Sequence, residues 1–276
     1  MWGFRGLKSP SISTLFSTTL SALAAYAALV GCAPKLDEDT VETVYQCELP
    51  VEQSKTLSGR WPKLIIPVSF KQGDFSSGEL AKMIDALDAW NTHFQKTQSL
   101  MVFDYGSRGS PRMTPNAAPA SLCSYSLLNG SNQFVSAVAI YKRSTWPYPT
   151  AKDAVGLTSS CSKSASPVPS MYISIIELNY QYFFVSGTRQ PDLTSILLHE
   201  LGHLLGVDHS CVASTSTKAS GGGYPICDSS DLKQEYYDAV MFPTVFFNSD
   251  GTGQVRSLLQ TNDQGRANCL YGNTAI

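Results

Sequence analysis

Three of the four histidines in this 276-residue chain lie within the eleven residues from 199 to 209. The sequence there is His-Glu-Leu-Gly-His-Leu-Leu-Gly-Val-Asp-His. In an α-helix, residues four positions apart differ by about 40° around the axis, so His199 and His203 would share one face. Gly206 can adopt the positive φ that ends a helix sharply, and the chain can then bring His209 back to the same place. The spacing therefore predicts a helix, a tight turn and three converging imidazoles.

Three neutral imidazoles with an open fourth position are typical of a catalytic metal site, whereas a structural zinc site is closed by four side chains. Glu200 follows the first histidine and lies next to the face that the histidines share, where it can reach a water molecule. Iron, copper and nickel also accept imidazoles, so the spacing by itself leaves the metal open. The alternative, a core helix with hydrogen-bonded histidines, explains neither the spacing nor Gly206.

The motif resembles the metzincin signature of zinc endopeptidases. Residues 239–243, Ala-Val-Met-Phe-Pro, are similar to the methionine turn of that clan, which implies that Met241 lies beneath the metal. Ser210 after the third histidine and Pro243 two residues after the methionine resemble the matrixins and their bacterial relatives. The Leu-Tyr-Gly of residues 270–272 is similar to the end of the matrixin C-terminal helix.

This resemblance covers roughly residues 171–211 and 239–272 and implies an endopeptidase. The enzyme would hydrolyse internal peptide bonds of extracytoplasmic protein or peptide substrates. The three histidines of the motif would bind one catalytic Zn²⁺, and Glu200 would act as the general base. Calcium sites are left open, since no feature of the sequence supports one.

The fold class that the resemblance implies is α+β. It is a zincin catalytic domain with a mostly parallel twisted sheet, an antiparallel edge strand, two long helices and a smaller C-terminal lobe after the third histidine. Metzincins bind substrate as an extended strand along the sheet edge, which by analogy is Ala154–Thr158 here. Residues 211–238 form a longer insertion than matrixins have at this place. The insertion either borders the cleft or is a loop without a role in the site. Only His93 lies outside the motif, so a second, histidine-rich zinc site is not expected.

Hydrophobic periodicity predicts the remaining elements. Pro67 favours an edge position or a bulge for the first strand, because proline lacks a backbone N–H. Residues 106–132 and 159–170 are predicted loops, and His93 is predicted to be a partly exposed helix residue. The predicted strands are Lys63–Phe70, Leu100–Tyr105, Phe134–Tyr141, Ala154–Thr158 and Met171–Leu178, and the predicted helices are Gly78–Lys96 and Leu193 to about Gly206.

The first 31 residues have the pattern of a secretory signal, in which Arg5 and Lys8 precede an uncharged stretch of small and apolar residues. Its end, Leu29-Val30-Gly31-Cys32, resembles the bacterial lipobox, where the signal is cut before a cysteine that receives lipid. The resemblance implies a lipid anchor at Cys32 and a place in the bacterial cell envelope, at the outer membrane in a Gram-negative cell. An ordinary secretory signal or a signal anchor, with Cys32 incidental, is the alternative.

Six cysteines remain after Cys32, and an exported chain with six is expected to form three disulfides. Fifteen pairings are possible. We favour Cys211–Cys227 because it closes a short loop, together with Cys123–Cys161 and Cys47–Cys269. The alternative is that some of the six remain free thiols.

Residues 32–60 are polar and without sustained periodicity, so we predict a tether that leads to a catalytic domain over residues 61–276. A net charge of −2 excludes a strongly basic nucleic-acid binder. We expect a monomer that contacts the membrane through its lipid anchor.

Two other classes of function compete with the endopeptidase. One is a non-catalytic zinc-binding envelope lipoprotein that retains a zincin fold, and the retained Glu200 argues against it. The other is a structural envelope protein stabilised by zinc, which predicts a closed fourth coordination position.

Overall fold

The centre of the fold is a mixed β-sheet that is mostly parallel. The computed structural model describes residues 41–119, 122–124 and 138–272. Within them the strands are β1 (Ile65–Lys71), β2 (Val102–Asp104), β3 (Gly106–Ser107), β4 (Ser110–Pro111), β5 (Met113–Thr114), β6 (Val138–Arg143), β7 (Gly156–Lys163) and β8 (Ser170–Asn179). The sheet has the order β2-β1-β6-β8-β7, and β5 also pairs with β1. All of these pairs are parallel except β7 with β8, so β7 is an antiparallel strand at one edge.

The α-helices of the described residues are α1 (Ser77–Lys96), α2 (Leu193–Leu205), α3 (Gln234–Asp238) and α4 (Thr261–Tyr271). Helix α1 contacts β2 of the sheet and α2 contacts β7. Helix α1 begins at a capping box, in which Ser76 and Glu79 satisfy each other's backbone N–H groups. Its apolar residues recur every three or four positions and are buried, and α1 packs against α2. The Trp90 indole N–H donates to the Leu198 carbonyl at 3.1 Å, which fixes α1 against α2. The α+β class with a mostly parallel sheet is therefore confirmed.

The predicted edge position of the first strand is wrong. Strand β1 lies inside the sheet, between β2 and β6. It pairs with β2 through residues 65–67 and with β6 through residues 68–70, so it changes its partner directly after Pro67. Pro67 pairs with β2 but not with β6, so the sheet accommodates this proline although it has no backbone N–H.

Two predicted loops contain strands. Residues 106–114 form β3, β4 and β5, and strand β7 continues through Ser159 to Lys163. The residues of β7 are mostly polar because this strand lies at the edge and is partly exposed, so an apolar pattern could not reveal its length. The predicted strand Phe134–Tyr141 is observed from Val138, and its first four residues lie outside the described ranges.

His93 is buried, and its predicted partial exposure is wrong. It is only 5% exposed, and its Nε2 forms a 2.9 Å hydrogen bond with the side-chain oxygen of Asn268. The burial comes from a tertiary contact, because helix α4 packs on this face of α1. The periodicity of α1 alone does not reveal that contact.

The three disulfides match the favoured pairing: Cys47–Cys269, Cys123–Cys161 and Cys211–Cys227. The first of them joins the predicted tether to α4. From Val44 onward that segment packs on the domain, and the Gln53 side chain is fully buried against Asn262 and the Ser210 carbonyl. A covalent link and buried amides thus hold residues that the sequence pattern assigned to a tether.

Within the described residues, no helix is both long and apolar enough to cross a membrane. The predicted signal peptide over residues 1–31 and the predicted anchor at Cys32 lie outside the described ranges.

Candidate metal centre

Helix α2 presents the first two histidines of the motif. Asp192 caps its start, since the Asp192 carboxylate accepts the Ser195 N–H at 2.8 Å. The helix ends at Gly206, which has a φ of +94°. A Cβ at this position would lie 1.9 Å from the Gly59 carbonyl oxygen, so the turn requires glycine for its conformation and for its close approach. This turn redirects the chain toward the third histidine.

The three histidines of the motif converge. One ligand atom from each of His199, His203 and His209 lies within 4.8 Å of the others. The centroids of their rings are 4.6 to 5.2 Å apart. This cluster could hold a metal ion, as the spacing in the sequence predicted.

The hydrogen bonds of the imidazoles fit a metal site. The Nδ1 of His199 lies 2.8 Å from the Val240 carbonyl, and the Nδ1 of His203 lies 3.1 Å from the Val207 carbonyl. A carbonyl accepts only, so each Nδ1 is the protonated nitrogen, which leaves Nε2 with a lone pair for a metal. The carbonyl partners also fix the orientation of these two rings.

The protonation state of the three rings fits a metal site as well. Burial lowers the pKa of His199 to about 4 and that of His209 to about 3. It also lowers the pKa of His203 well below its usual value. The rings are therefore neutral near pH 7, as metal ligands must be. The donor set is three nitrogens without a thiolate, and the geometry of these residues does not by itself identify the ion.

Met241 packs against helix α2 at Gly202, the residue before His203. Its side chain is fully buried, and a Cβ at Gly202 would meet the Met241 sulfur at 2.2 Å. The Met241 carbonyl accepts the Ser210 N–H at 2.9 Å, which ties this turn to the residue after His209. The absence of a side chain at Gly202 thus allows the methionine to pack against α2.

Asp263 is a supporting residue that sequence reasoning missed. Its fully buried carboxylate accepts the N–H groups of Val240 and Met241 at 2.8 and 3.1 Å. These bonds hold the turn whose Val240 carbonyl orients His199. Its position in the first turn of α4 was the feature of the sequence that could have identified it. There Asp263 also forms a capping box with Gln260.

Glu200 points toward the edge strand β7. Its side chain is buried, and its Oε2 accepts a 2.6 Å hydrogen bond from the Thr158 hydroxyl. Burial raises the pKa of Glu200 to about 7, and the Thr158 hydrogen bond opposes this rise. A Cβ at Gly156 would lie 2.6 Å from Glu200 Oε1, so the glycine makes room for the carboxylate. Neither Thr158 nor Gly156 was predicted as a site residue, because the pattern of β7 does not show which residue faces Glu200.

A cleft of about 710 Å³ surrounds these groups. Its lining comes from one face of α2 and from most residues of 153–160, together with part of the chain from Val240 to Arg256. The insertion reaches the cleft through Lys218, whose ammonium group bonds to the Asp208 carboxylate at 2.5 Å. Tyr224 donates to the same carboxylate at 2.7 Å. Part of the insertion therefore borders the cleft, beside the third histidine.

Neither a scan of protein-family models nor a search of curated proteins found a significant match to this chain.

Proposed function

We propose that this chain is a zinc-dependent endopeptidase of the metzincin type, similar to the matrixins, that hydrolyses internal peptide bonds of proteins outside the cytoplasm. One observation supports this proposal most strongly: three neutral imidazoles converge beside a buried carboxylate in an open cleft. A purely structural metal site would not need a carboxylate or a cleft next to its ligands.

The architecture supports a zincin-type fold. The sheet is mostly parallel and has an antiparallel edge strand, β7, next to the helix that contains the histidine pair. The helix ends in a left-handed glycine, the third histidine follows, and a buried methionine packs against Gly202 of the same helix. Each of these features is an element of the arrangement that the motif implied.

Zinc is the proposed metal because the whole motif, and not only its nitrogen donors, resembles a zinc signature. His199, His203 and His209 would hold it. Zinc bound by three imidazoles supplies a Lewis acid that polarises a carbonyl group and makes a water molecule more acidic.

Glu200 is the proposed general base and acid. Thr158 occupies Oε2, which leaves Oε1 to accept the proton of the attacking water. As the water oxygen bonds to the carbonyl carbon and the C–N bond breaks, Glu200 returns this proton to the departing amine nitrogen. Burial of Glu200 favours its neutral form, which helps the carboxyl to hold the proton between these two transfers.

Strand β7 is the proposed platform for the substrate backbone. It pairs with β8 on one side, and among the described residues no strand pairs with its other side. An extended peptide can add to such an edge through backbone hydrogen bonds, which require little sequence specificity. Because β7 contacts Glu200 through Thr158, a peptide on this edge would lie close to the base.

The proposed location is the bacterial cell envelope. Three disulfides point to an extracytoplasmic compartment, where such bonds form and persist. Attachment to the membrane through a lipid on Cys32 remains part of the proposal. It is tested by metabolic labelling with a fatty acid, which should label the chain but not its Cys32→Ser variant.

The function is tested with quenched fluorescent casein and gelatin. We expect hydrolysis by the purified chain, its loss on treatment with a zinc chelator and its return with added Zn²⁺. Glu200→Gln should still bind zinc and fold, but should hydrolyse about 100- to 10 000-fold more slowly. Zinc binding without hydrolysis of either substrate, or equal rates for the parent and Glu200→Gln, would contradict the proposal.

A further inference from the structure

Arg256 lies in the cleft beside the helix that contains the histidine pair. Its backbone N–H donates to the Ser195 hydroxyl at 2.7 Å, and Ser195 is one turn before His199 in α2. Arg256 and His199 both line the cleft.

The guanidinium of Arg256 is held firmly on one side. Its Nη1 donates to the carbonyls of Tyr237 and Ala239 at 2.8 and 3.0 Å. Its central carbon is 5.4 to 5.5 Å from the ring centroids of Tyr237, Phe242 and Phe246. These contacts orient the group before any ligand arrives, which lowers the entropy cost of binding.

The charge of Arg256 has no ion-pair partner among the described residues. Asp238 and Asp263 interact with Arg256 only through longer-range electrostatic attraction. The Asp263 carboxylate already accepts hydrogen bonds from the N–H groups of Val240 and Met241. Desolvation lowers the pKa of Arg256, as expected for a half-buried cation without a counter-ion. A carboxylate brought into the cleft would supply that counter-ion.

The other Lys and Arg side chains that line the cleft differ from Arg256. Lys218 is paired with Asp208, and Arg189 is exposed and lies over the Phe247 ring at 4.9 Å. The Asp192 carboxylate accepts the N–H and the hydroxyl of Ser195. Arg256 is thus the half-buried cation that is oriented by the protein and lacks a counter-ion.

We propose that Arg256 forms a subsite for a carboxylate of the peptide substrate, and this inference rests on the function proposed above. Within the described residues only Nη1 of the side chain has hydrogen-bond partners, so Nε and Nη2 remain for a bidentate contact with a carboxylate. An acidic side chain and the C-terminus of a peptide present the same group, and the experiment separates these two sources.

The test uses two sets of labelled peptides that contain one cleaved bond. In the first set, a single Glu is moved through each position around that bond, and each peptide has a matched Gln peptide. In the second set, the peptides have no acidic side chain and end either in a free carboxylate or in an amide. The ratio of kcat/KM within each matched pair is measured on one preparation, so the folded fraction of a variant cancels.

We expect a preference of about tenfold for the carboxylate in one set. The preference should fall to about one in Arg256→Gln and persist in part in Arg256→Lys, which keeps the charge but loses the planar fork. A preference in the first set identifies an acidic side chain as the ligand, and a preference in the second identifies the C-terminus. Ratios of about one in both sets, or a preference that persists in Arg256→Gln, would overturn the subsite.

If no peptide is cleaved, the proposed function has failed, but the subsite is still tested by binding. Fluorescence polarization then gives the dissociation constants of the same pairs with the parent and with Arg256→Gln. Tighter binding of the carboxylate peptide by the parent alone supports the subsite, and equal binding by both proteins overturns it.

Discussion

Helix α2 and strand β7 both line the cleft, but they are constrained very differently. Helix α2 is capped by Asp192, ends at Gly206 and buries most of its residues, and a backbone carbonyl orients each of its two histidines. Strand β7 pairs with β8 on one side only, and most of its residues are partly or fully exposed. The difference separates a rigid side suited to hold a metal from an edge suited to accept a peptide.

The largest expected effect is the loss of metal from the rigid side. His203→Ala removes one of three ligands and should reduce bound zinc from one ion per chain to nearly none, with loss of hydrolysis. His93→Gln is the matched control, since His93 is buried and bonded to Asn268, outside the metal cluster. Metal analysis of dialysed protein measures both variants. Full retention of zinc by His203→Ala would contradict the ligand assignment.

The second prediction concerns the turn at the end of α2. Gly206→Ala places a side chain in a left-handed conformation and against the Gly59 carbonyl, and should cost about 3 kcal/mol or more in the free energy of unfolding. Gly251 has a φ of +82°, but a Cβ there would meet no atom within 4 Å, so Gly251→Ala should cost only about 1 kcal/mol. Urea denaturation measures both. Equal losses would show that the close approach to Gly59 is unimportant.

The third prediction concerns the edge strand. Thr158→Val keeps the shape of the side chain but removes the hydrogen bond to Glu200, and should lower kcat about tenfold with little change in KM. Thr158→Ser retains a hydroxyl and should restore most of the rate. Steady-state kinetics on one peptide measure this split. If Val and Ser variants both match the parent, Thr158 does not position Glu200.

The smallest expected effect concerns Glu79, which lies in the first turn of α1 and so outside both α2 and β7. Burial raises the pKa of this carboxyl, but hydrogen bonds from Tyr180, Lys142 and Ser76 outweigh it and lower the pKa to about 2. The resulting stability is fully present above pH of about 4.5 and is lost as the pH falls toward about 2.

Glu79→Gln should therefore lower the free energy of unfolding by about 1 kcal/mol at pH 7, because the group is partly solvated. The difference from the parent should vanish near pH 2. Glu42→Gln, which changes an exposed carboxyl, serves as the control. Denaturation curves across this pH range test the prediction, and a loss that is independent of pH would refute the charge effect.

Local patterns in the sequence were sufficient to predict the site residues of α2 but not those of β7. The angular relation of His199 and His203 follows from helix geometry, and Gly206 marks the end of that helix, so local spacing was sufficient. The role of Thr158 depends on the register of β7 against a helix about forty residues later, and no local pattern contains that register. Burial of His93 depends on α4 in the same way.

We propose that three imidazoles bind one ion and leave a fourth position open to a small ligand. X-ray absorption spectroscopy of the zinc-loaded protein tests it most directly. We expect three imidazole nitrogens and one further light-atom ligand at about 2.0–2.1 Å, with no sulfur. A sulfur shell at about 2.3 Å, or fewer than three imidazoles at the metal, would contradict it.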